Sequence, residues 1–522
     1  MDRGIAHVVI VGGGTAGWLA ACRIAAAADP ATSSLLHVTL IECPDIPTIG
    51  VGEGTWPTMR RTLSRIGIAE TEFLRTCDAS FKQGSRFIGW RDGGMDDAYF
   101  HPFVAPVEGS ARGLVEGWRA VAPELCFADA VCPQPWVGAR HLAPRQAGMP
   151  DYAGALNYAY HLDAGKLAEL LRRHAVERLG VRHVRDHVGG TIMADDGDIA
   201  AVATRDHGDI AGDLFIDCTG HAALLIGERY GVPFLDRSDV LFNDRALAVQ
   251  VPVTPYMPIA SQTDATAHDA GWIWDIGLPT RRGVGCVYSS QHMDDERAAT
   301  TLHAYLGRTA PHADPAALSV RQLAFRSGHR ERFWERNCLA IGLSAGFLEP
   351  LEASAIVTIE LSLDALIDNF PATRASMPLH ARRFNDLFRY RWDRIVEFLK
   401  LHYVLSERTS DYWRDHRADG TIPDRLAHLI RLWRDQPPSV HDFDSVEEVF
   451  PAASYQYVLY GMGAATPPPG VMRAEDTDAV AQRIEQVARR ARTLAASLPT
   501  NRAALDTLVR AAQPVPVTER QY

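Results

Sequence analysis

The hydrophobic pattern opens with a short β-branched run, His7–Val11. Glycines follow, then an alanine-rich segment of helical period, Gly14–Ala28, and a second strand-like run, HVTLIE at His37–Glu42. Strand, glycine turn, helix and strand in that order predict a βαβ unit. Residues 43–60 are rich in Gly and Pro and predict a loop, and 90–155, dense in aromatics and prolines, predicts irregular structure. Asp163–Leu179 has helical period. Val181–Val188 opens a strand-rich stretch that ends in the buried-type strand Asp213–Cys218. Between 240 and 345, strand-like runs (ALAVQVPV, GVGCVYSS, NCLAIGLS) flank one helix near 296–307. From about 355 the period turns helical. Phe384, Leu387, Phe388, Ile395, Phe398 and Leu399 fall on one face of a long helix, and TPPPG at 466–470 separates helical stretches at 475–498 and 501–512. No internal repeat is visible. The pattern predicts an α/β nucleotide-binding core with a helical C-terminal region packed on it.

Composition narrows the class. A chain of 522 residues exceeds the roughly 250–300 at which one hydrophobic core stops growing, so one large composite unit or two to three coupled ones are expected. Hydrophobic residues at 47% and charged residues at 22% exclude a disordered or fibrous chain. Lys+Arg 53 against Asp+Glu 64 gives −11 without a block of like charge, so a nucleic-acid partner is not expected. The eight cysteines are scattered with no C-x-x-C pair, which predicts a reduced, intracellular protein without a zinc site. No apolar run approaches the ~18 residues that span a bilayer. The start, MDRGIAHVVIVGGG, reads as a strand cut by glycines and not as a secretion signal. The expectation is a cytoplasmic protein with no membrane partner. Only three of the 53 basic residues are lysine, Lys82, Lys166 and Lys400. A lysine can lose its proton and act as a nucleophile or donor where arginine cannot.

Gly12-x-Gly14-x-x-Gly17 lies between the first strand and the first helix. Gly12 permits the tight turn, Gly14 lets the backbone approach a pyrophosphate, and Gly17 allows close helix–strand contact, while the helix N-terminus offers free N–H groups to the phosphates. Glu42 closes the second strand, 25 residues beyond Gly17, where a carboxylate can accept from a ribose hydroxyl. DLFIDCTG at Asp213–Gly220, a strand ending in an acid and a small-residue turn, suggests a second nucleotide-contacting element and FAD in preference to NAD. Trp272-Ile273-Trp274-x-Ile276 places two indoles on one side of a strand. Glu349-Pro350-Leu351-Glu352 precedes a helix expected to begin near Ala353. Glu352 is there either an acid satisfying the helix dipole or a catalytic carboxylate.

Together these residues resemble the flavin-dependent tryptophan halogenases over nearly the whole chain. The landmarks are VVIVGGGTAGWLAA (8–21), IGVGEGTWP (49–57), Lys82, HPF (101–103), YAYHLDA (158–164), NDRALA (243–248), GWIWDI (271–276) and FLEPLEASAI (347–356). The resemblance implies a two-dinucleotide-domain, flavin monooxygenase-like Rossmann core over 1–375, with substrate-chamber segments inserted at about 85–160, and a helical substrate-binding region over 376–522. It implies FAD, bound as FADH2 and held by Gly12, Gly14, Thr15, Ala16, Gly17, Glu42, Gly52, Glu53, Gly54, Val188, Asp217 and Leu343. It further implies O2 and chloride or bromide as co-substrates, and no metal. Hypohalous acid made beside the flavin would reach Lys82, with Glu352 as the catalytic carboxylate. The halide would rest on the backbone of Ser354 and Ala355; His101, Phe103 and Tyr455 would meet the aromatic substrate. Trp272 and Trp274 would screen the flavin. A separate NAD(P)H-dependent flavin reductase is the implied protein partner, and a homodimer stays open.

Three positions depart from the family pattern. Gly277 stands where proline usually follows W-x-W-x-I, and Ala353-Ser354-Ala355 replaces Ser-Thr-Gly. Tyr455-Gln456 stands where enzymes of free tryptophan carry a tyrosine pair. The last departure leads to the expectation that indole, or an indole within a larger molecule, is preferred to free tryptophan. A flavin monooxygenase or reductase of the same fold is the alternative reading, and a non-catalytic flavin protein the third. Both leave Lys82 without a purpose.

Overall fold

His7–Val11 is apolar and β-branched on both sides of the pleat, and it lies at the centre of a sheet buried on both faces, with Val8, Val9 and Ile10 wholly inaccessible. The computed structural model describes residues 4–28, 36–46, 52–445, 447–468 and 474–511. In the central sheet the strands run Trp334–Glu335, Cys338–Ala340, Leu214–Asp217, His7–Val11, His37–Glu42 and Arg182–Arg185, parallel except for the hairpin at the Trp334 edge. Val11 pairs with both Asp217 and Ile41, so the ends of the glycine turn, of DLFIDCTG and of HVTLIE come together at one edge. The helix Thr15–Ala27 packs beside Ala164–Glu177 and Ser354–Asp368. The mixed α/β architecture matches the expected class.

A second, seven-stranded sheet runs Arg321–Ala324, Arg245–Pro252, Arg281–Tyr288, Gly271–Gly277, Thr263–His268, Gly84–Ile88 and Ala98–Pro102. Every pairing in it is antiparallel except Thr263–His268 with Gly84–Ile88. It carries the W-x-W pair at its centre and His101, opposite Ser85, at its edge. A three-stranded sheet, Gly52–Gly54, Ala159–Asp163 and Ser80–Lys82, brings the GEG segment and Lys82 to either side of one strand.

Two stretches hold more regular structure than their composition suggests. Within 43–60, Gly52–Gly54 is a strand, and the helix Thr58–Ile66 begins there; residues 47–51 of the predicted loop, of which 49–51 open IGVGEGTWP, lie outside the described residues. Within 90–155, short helices form at Ala111–Val121, Phe127–Val131 and Gln134–Gly138. The Ser110 hydroxyl caps the first of these by accepting from the Gly113 N–H. Helix Thr477–Ser497 packs against Ala111–Val121 and supplies the apolar surface these short pieces lack on their own. The predicted long helix is Met377–Val404, 28 residues, with Phe384, Phe388, Ile395, Phe398 and Leu399 buried on its inner face. The TPPPG segment is described only as far as 468, and the last helix, Asn501–Ala511, stops one residue short of its expected end, which lies outside the described residues.

Candidate active site

The first constellation is the glycine turn. Gly12 has φ +115°, and a Cβ there would strike the Cys218 carbonyl; one on Gly17 would strike the Gly12 carbonyl. Gly14, at the cap of Thr15–Ala27, has open space where its side chain would be, and no side chain caps the helix. The first N–H groups of this helix, among them those of Thr15 and Ala16, therefore face a bare cradle, the geometry a pyrophosphate requires. Glu42 flanks it, held by His183 Nε2 at 2.8 Å. Gly342 has φ +76°, and a Cβ there would fall 2.7 Å from Ala16 Cβ, so the turn carrying Leu343 closes on the same helix start. Val188 begins the strand Val188–Met193, and its neighbour Gly190 is open. These features fit a dinucleotide such as FAD. Asp217 is different. Its Oδ1 accepts from the Thr219 N–H and hydroxyl, and its Oδ2 from the N–H groups of Leu225 and Ile226. That carboxylate organises the turn after its strand and is fully occupied there.

The second constellation is built around Lys82. Its side chain reaches across the small sheet to Gly54, where a Cβ would lie 2.9 Å from Nζ and 3.4 Å from Ala353 Cβ. The ammonium lies 5.5 Å from the centroid of the Phe103 ring. Lys82 is 1% exposed, and among the described residues no side chain hydrogen-bonds its amine. Burial pushes its pKa down to about 8, against the opposing pull of the Glu352 charge. Glu53, beside Gly54, is pushed up to about 7 by the same desolvation.

Glu352 stands at a kink. It has φ +62° and Ala353 φ +55°, two successive non-glycine residues in the left-handed region, each costing about 1–3 kcal/mol. The helix Ser354–Asp368 starts immediately after, without a side-chain cap. Its first N–H groups, among them those of Ser354 and Ala355, are left without a side-chain cap. The Glu352 carboxylate faces two histidines. The carboxylate Oε1 lies 2.7 Å from His101 Nδ1 and 3.3 Å from His402 Nε2, and the Trp56 indole donates to the Glu352 carbonyl at 2.8 Å. Burial alone would push this carboxyl up. His101, by charge and hydrogen bond, and then His402 outweigh that and hold it below the usual carboxylate range.

His101 Nε2 contacts the Ser454 hydroxyl at 2.9 Å, and the Tyr457 ring centroid lies 6.2 Å from the imidazole. Both come from the helix Ala452–Gly461, which carries no charged side chain. Tyr455, the residue singled out in that helix, turns instead toward Phe398, Phe443 and Trp433, with ring centroids 4.9 to 5.4 Å away. It sits one layer behind the His101 wall. Ser454 and His402 were not singled out in the sequence, and Trp56 entered only within the landmark IGVGEGTWP. His402 left a faint signal, four residues beyond Phe398 on the apolar stripe of the long helix.

Trp272 and Trp274 share a face of Gly271–Gly277, their centroids 6.4 Å apart. The Trp272 indole donates to Glu349 Oε2 at 3.2 Å, which also accepts from Tyr403 at 2.7 Å and from Asn243. Nearby, the Lys400 amine is fully buried. It donates to the Val240 carbonyl at 3.0 Å and contacts His416 Nδ1 at 2.9 Å. Lys166, by contrast, is half exposed. Away from both constellations Cys43, Asp45 and His187 place one ligand-type atom each within 4.8 Å of the others. His187 already spends Nδ1 on the thiol and Nε2 on the carboxylate, so the trio is internally paired.

The sequence profile of the tryptophan halogenase family matches residues 7–476. The chain belongs to the flavin-dependent tryptophan halogenases. It is similar to the tryptophan halogenase of Shewanella frigidimarina, whose crystal structure superimposes with a TM-score of 0.94 at 47% identity, covering 98% of this chain and 99% of the other. It is 36% identical to the tryptophan 6-halogenase SttH of Streptomyces toxytricini, over 94% of this chain and 96% of that one. BrvH, a flavin-dependent halogenase from Brevundimonas sp. BAL3, aligns at 32% identity with a TM-score of 0.84, covering 97% and 100%. The halogenase is an enzyme of a family that uses FAD, O2 and halide and draws on a separate flavin reductase. Among the described residues no helix is long and apolar enough to cross a membrane.

Proposed function

We propose that this halogenase is a two-component, FADH2-dependent enzyme that chlorinates or brominates an indole-like or other electron-rich aromatic, with Lys82 as the residue that receives the oxidant. The observation that carries the reading is the buried Lys82 beside Phe103, its amine without a side-chain hydrogen bond among the described residues and within the field of Glu352, which is itself paired with His101.

Gly12, Gly14, Thr15, Ala16, Gly17, Glu42, Val188 and Leu343 would hold FAD, with Gly52, Glu53 and Gly54 beside its reactive end. When bound and reduced, FAD supplies with O2 the oxidation of halide to hypohalous acid. The N–H groups of Ser354 and Ala355 hold the halide, since a helix start without a side-chain cap favours an anion. Trp272 and Trp274 keep the organic substrate away from the flavin. Lys82 holds the hypohalous acid by hydrogen bond or as a haloamine, for which an amine that gives up its proton near pH 8 is suited. His101 and Phe103 flank the aromatic ring, and Glu352, kept ionised, accepts the proton that leaves the ring carbon as the halogen is placed. Desolvation inside the chamber strengthens each of these electrostatic contacts.

Purified protein with an external NADH-dependent flavin reductase, O2 and bromide is to be incubated with indole and the products read by mass spectrometry. A bromine isotope doublet is the expected result. A gain of one oxygen would instead establish the monooxygenase, and rapid NADH oxidation by the protein alone would remove the need for a partner reductase.

A further inference from the structure

Two of the three lysines are buried, and the chemistry assigned above uses only Lys82. Lys400, on the helix Met377–Val404, has no exposure at all. Its amine lies 3.0 Å from the Val240 carbonyl oxygen, 3.1 Å from the Thr421 hydroxyl and 2.9 Å from His416 Nδ1. The carbonyl can only accept. The Thr421 hydroxyl donates to the Ala418 carbonyl at 2.9 Å and so accepts from the amine. Burial, and then the Lys400 charge, hold His416 neutral, which leaves its Nδ1 able to accept the third bond. Three acceptors match the three N–H bonds of an ammonium; a neutral amine has two and would need His416 to turn donor. The Phe242 ring, its centroid 4.9 Å from the nitrogen, adds the electron-rich face that a cation favours.

The opposite pattern surrounds Glu349. Its Oε2 receives the Trp272 indole at 3.2 Å, the Tyr403 phenol at 2.7 Å and the Asn243 amide. A proton on this carboxyl would have to sit on Oε1, which is buried without a hydrogen-bond partner among the described residues. Donors gathered at one end and acceptors at the other place the proton of this buried couple on the amine. One ring stack joins the two ends. The Tyr403 ring, three residues beyond Lys400 on the same helix, lies 4.2 Å from that of His416 with the planes 11° apart. We propose that Lys400 is a positioning residue, its ammonium the counter-charge that keeps Glu349 an ionised acceptor for the Trp272 indole.

Burial pulls the Lys400 pKa down to about 7, while the Glu349 charge, and then that of Asp239, act against it. Burial pushes the Glu349 carboxyl up, and its three donors and Lys400 oppose that. The other ionisable groups facing the couple are Asp239, His416, His292, Tyr403 and Tyr412. Asp239, next to Val240, is exposed, so solvent screens it. His292 contacts Asp415 at 3.0 Å. Both phenols are pushed well above their ordinary range, by burial first and the Glu349 charge next. Glu349 is therefore the buried counter-ion of Lys400, and a buried charge that loses its partner is costly.

This inference goes beyond the reading of the reaction, and only its last arm rests on that reading. With three lysines in the chain, full-length protein labelled with ¹⁵N-lysine shows Lys400 as the signal missing from Lys400→Met. Should that variant not fold, Lys82→Met and Lys166→Arg leave Lys400 by elimination. At about pH 6 an ammonium is expected, and Glu349→Gln should lower its titration midpoint by about one pH unit or more. A neutral amine there, or a midpoint that Glu349→Gln leaves in place, overturns the proposal. Infrared spectra report from the other end. Lys400→Met should show a protonated-carboxyl band that the wild type lacks and that Glu349→Gln removes from the double variant; no new band overturns the proposal. In the last arm, with a flavin reductase, bromide and indole, Lys400→Met should yield about fivefold less bromoindole per FADH2 consumed, with KM for indole within about twofold. Coupling at the wild-type level would refute the positioning role, since a merely structural lysine would lower the melting temperature alone. If the wild-type enzyme halogenates nothing, the functional reading falls while the lysine and carboxyl signals still decide where the proton lies.

Discussion

The Trp272 indole N–H ends on the Glu349 carboxylate, so the first glutamate of the EPLE segment fixes the first tryptophan of W-x-W. Three donors, from Trp272, Tyr403 and Asn243, converge on Oε2 inside a wholly buried pocket. Burial pushes the Glu349 carboxyl up, and these hydrogen bonds act against it. Glu349→Leu strands all three donors and should destabilise the enzyme by about 2–4 kcal/mol in urea unfolding. Glu349→Gln keeps an acceptor oxygen and should lose less than about half of that. Equal losses would mean that packing, not hydrogen bonding, holds the tryptophan.

Lys82 places an amine where the fold would prefer none. Its pKa is depressed to about 8 from an ordinary 10.5. Below about pH 8 the folded state therefore bears the full penalty of a buried cation, and the penalty disappears as pH rises from 8 to 10.5. Lys82→Met should abolish halogenation and stabilise the protein at pH 7 by on the order of 1–3 kcal/mol, with the gain fading as pH rises from about 8 to 10.5. Lys82→Arg should also be inactive, because the planar guanidinium keeps its charge and must fit against Gly54. Melting curves across pH and the bromination assay check both statements; near-normal turnover by the arginine variant would reduce Lys82 to an electrostatic role.

Glu352→Gln should slow halogenation by about 10²–10⁴-fold while FAD still binds. The folded pKa of Glu352 is depressed, so the carboxylate stabilises the protein at pH values above its unfolded pKa of about 4.3, and that contribution is lost as pH falls through the folded value. The stability difference between wild type and Glu352→Gln should accordingly be flat above about pH 5.5 and shrink only in more acidic solution. A difference that already changes between pH 6 and 8 would show that the carboxylate is not held ionised.

For free tryptophan the chamber must satisfy a carboxylate and an ammonium that leave water. The helix beside His101 offers Ser454 and Tyr457 but no charge, and Tyr455 faces the other way. Indole is therefore expected to be the better substrate, by roughly 5- to 150-fold in kcat/KM for one lost anchor of about 1–3 kcal/mol. With no side chain fixing the ring, the halogen should go to C3, the most reactive carbon. A higher kcat/KM for tryptophan, with halogen on one benzo-ring carbon, would restore the free amino acid as substrate.

Local pattern was enough to read the cradle, because glycine spacing, strand length and the acid at Glu42 are all set within 36 residues of chain. It was enough to place Trp272 and Trp274 on one face, since strand alternation dictates that. It could not reveal the setting of Glu352. His101, Glu352, His402 and Ser454 come from four separate elements, and His402 continues an apolar stripe in which a polar residue looks like filler. It could not orient Tyr455 either: a helix repeats every 3.6 residues, so a shift of one position rotates a side chain by about 100°. Asp217 ends a nucleotide-type strand, as expected, but the backbone N–H groups of its own turn claim both its oxygens.

The kink at Glu352 and Ala353 has a mechanical consequence. Glu352 and the uncapped helix start at Ser354 are separated along the chain by Ala353 alone. Under the proposed reading, in which the halide rests on Ser354 and Ala355, the halide position and the aromatic chamber share that one residue, and a chamber widened for a bulkier ring would carry its change through Ala353 into the preference between chloride and bromide.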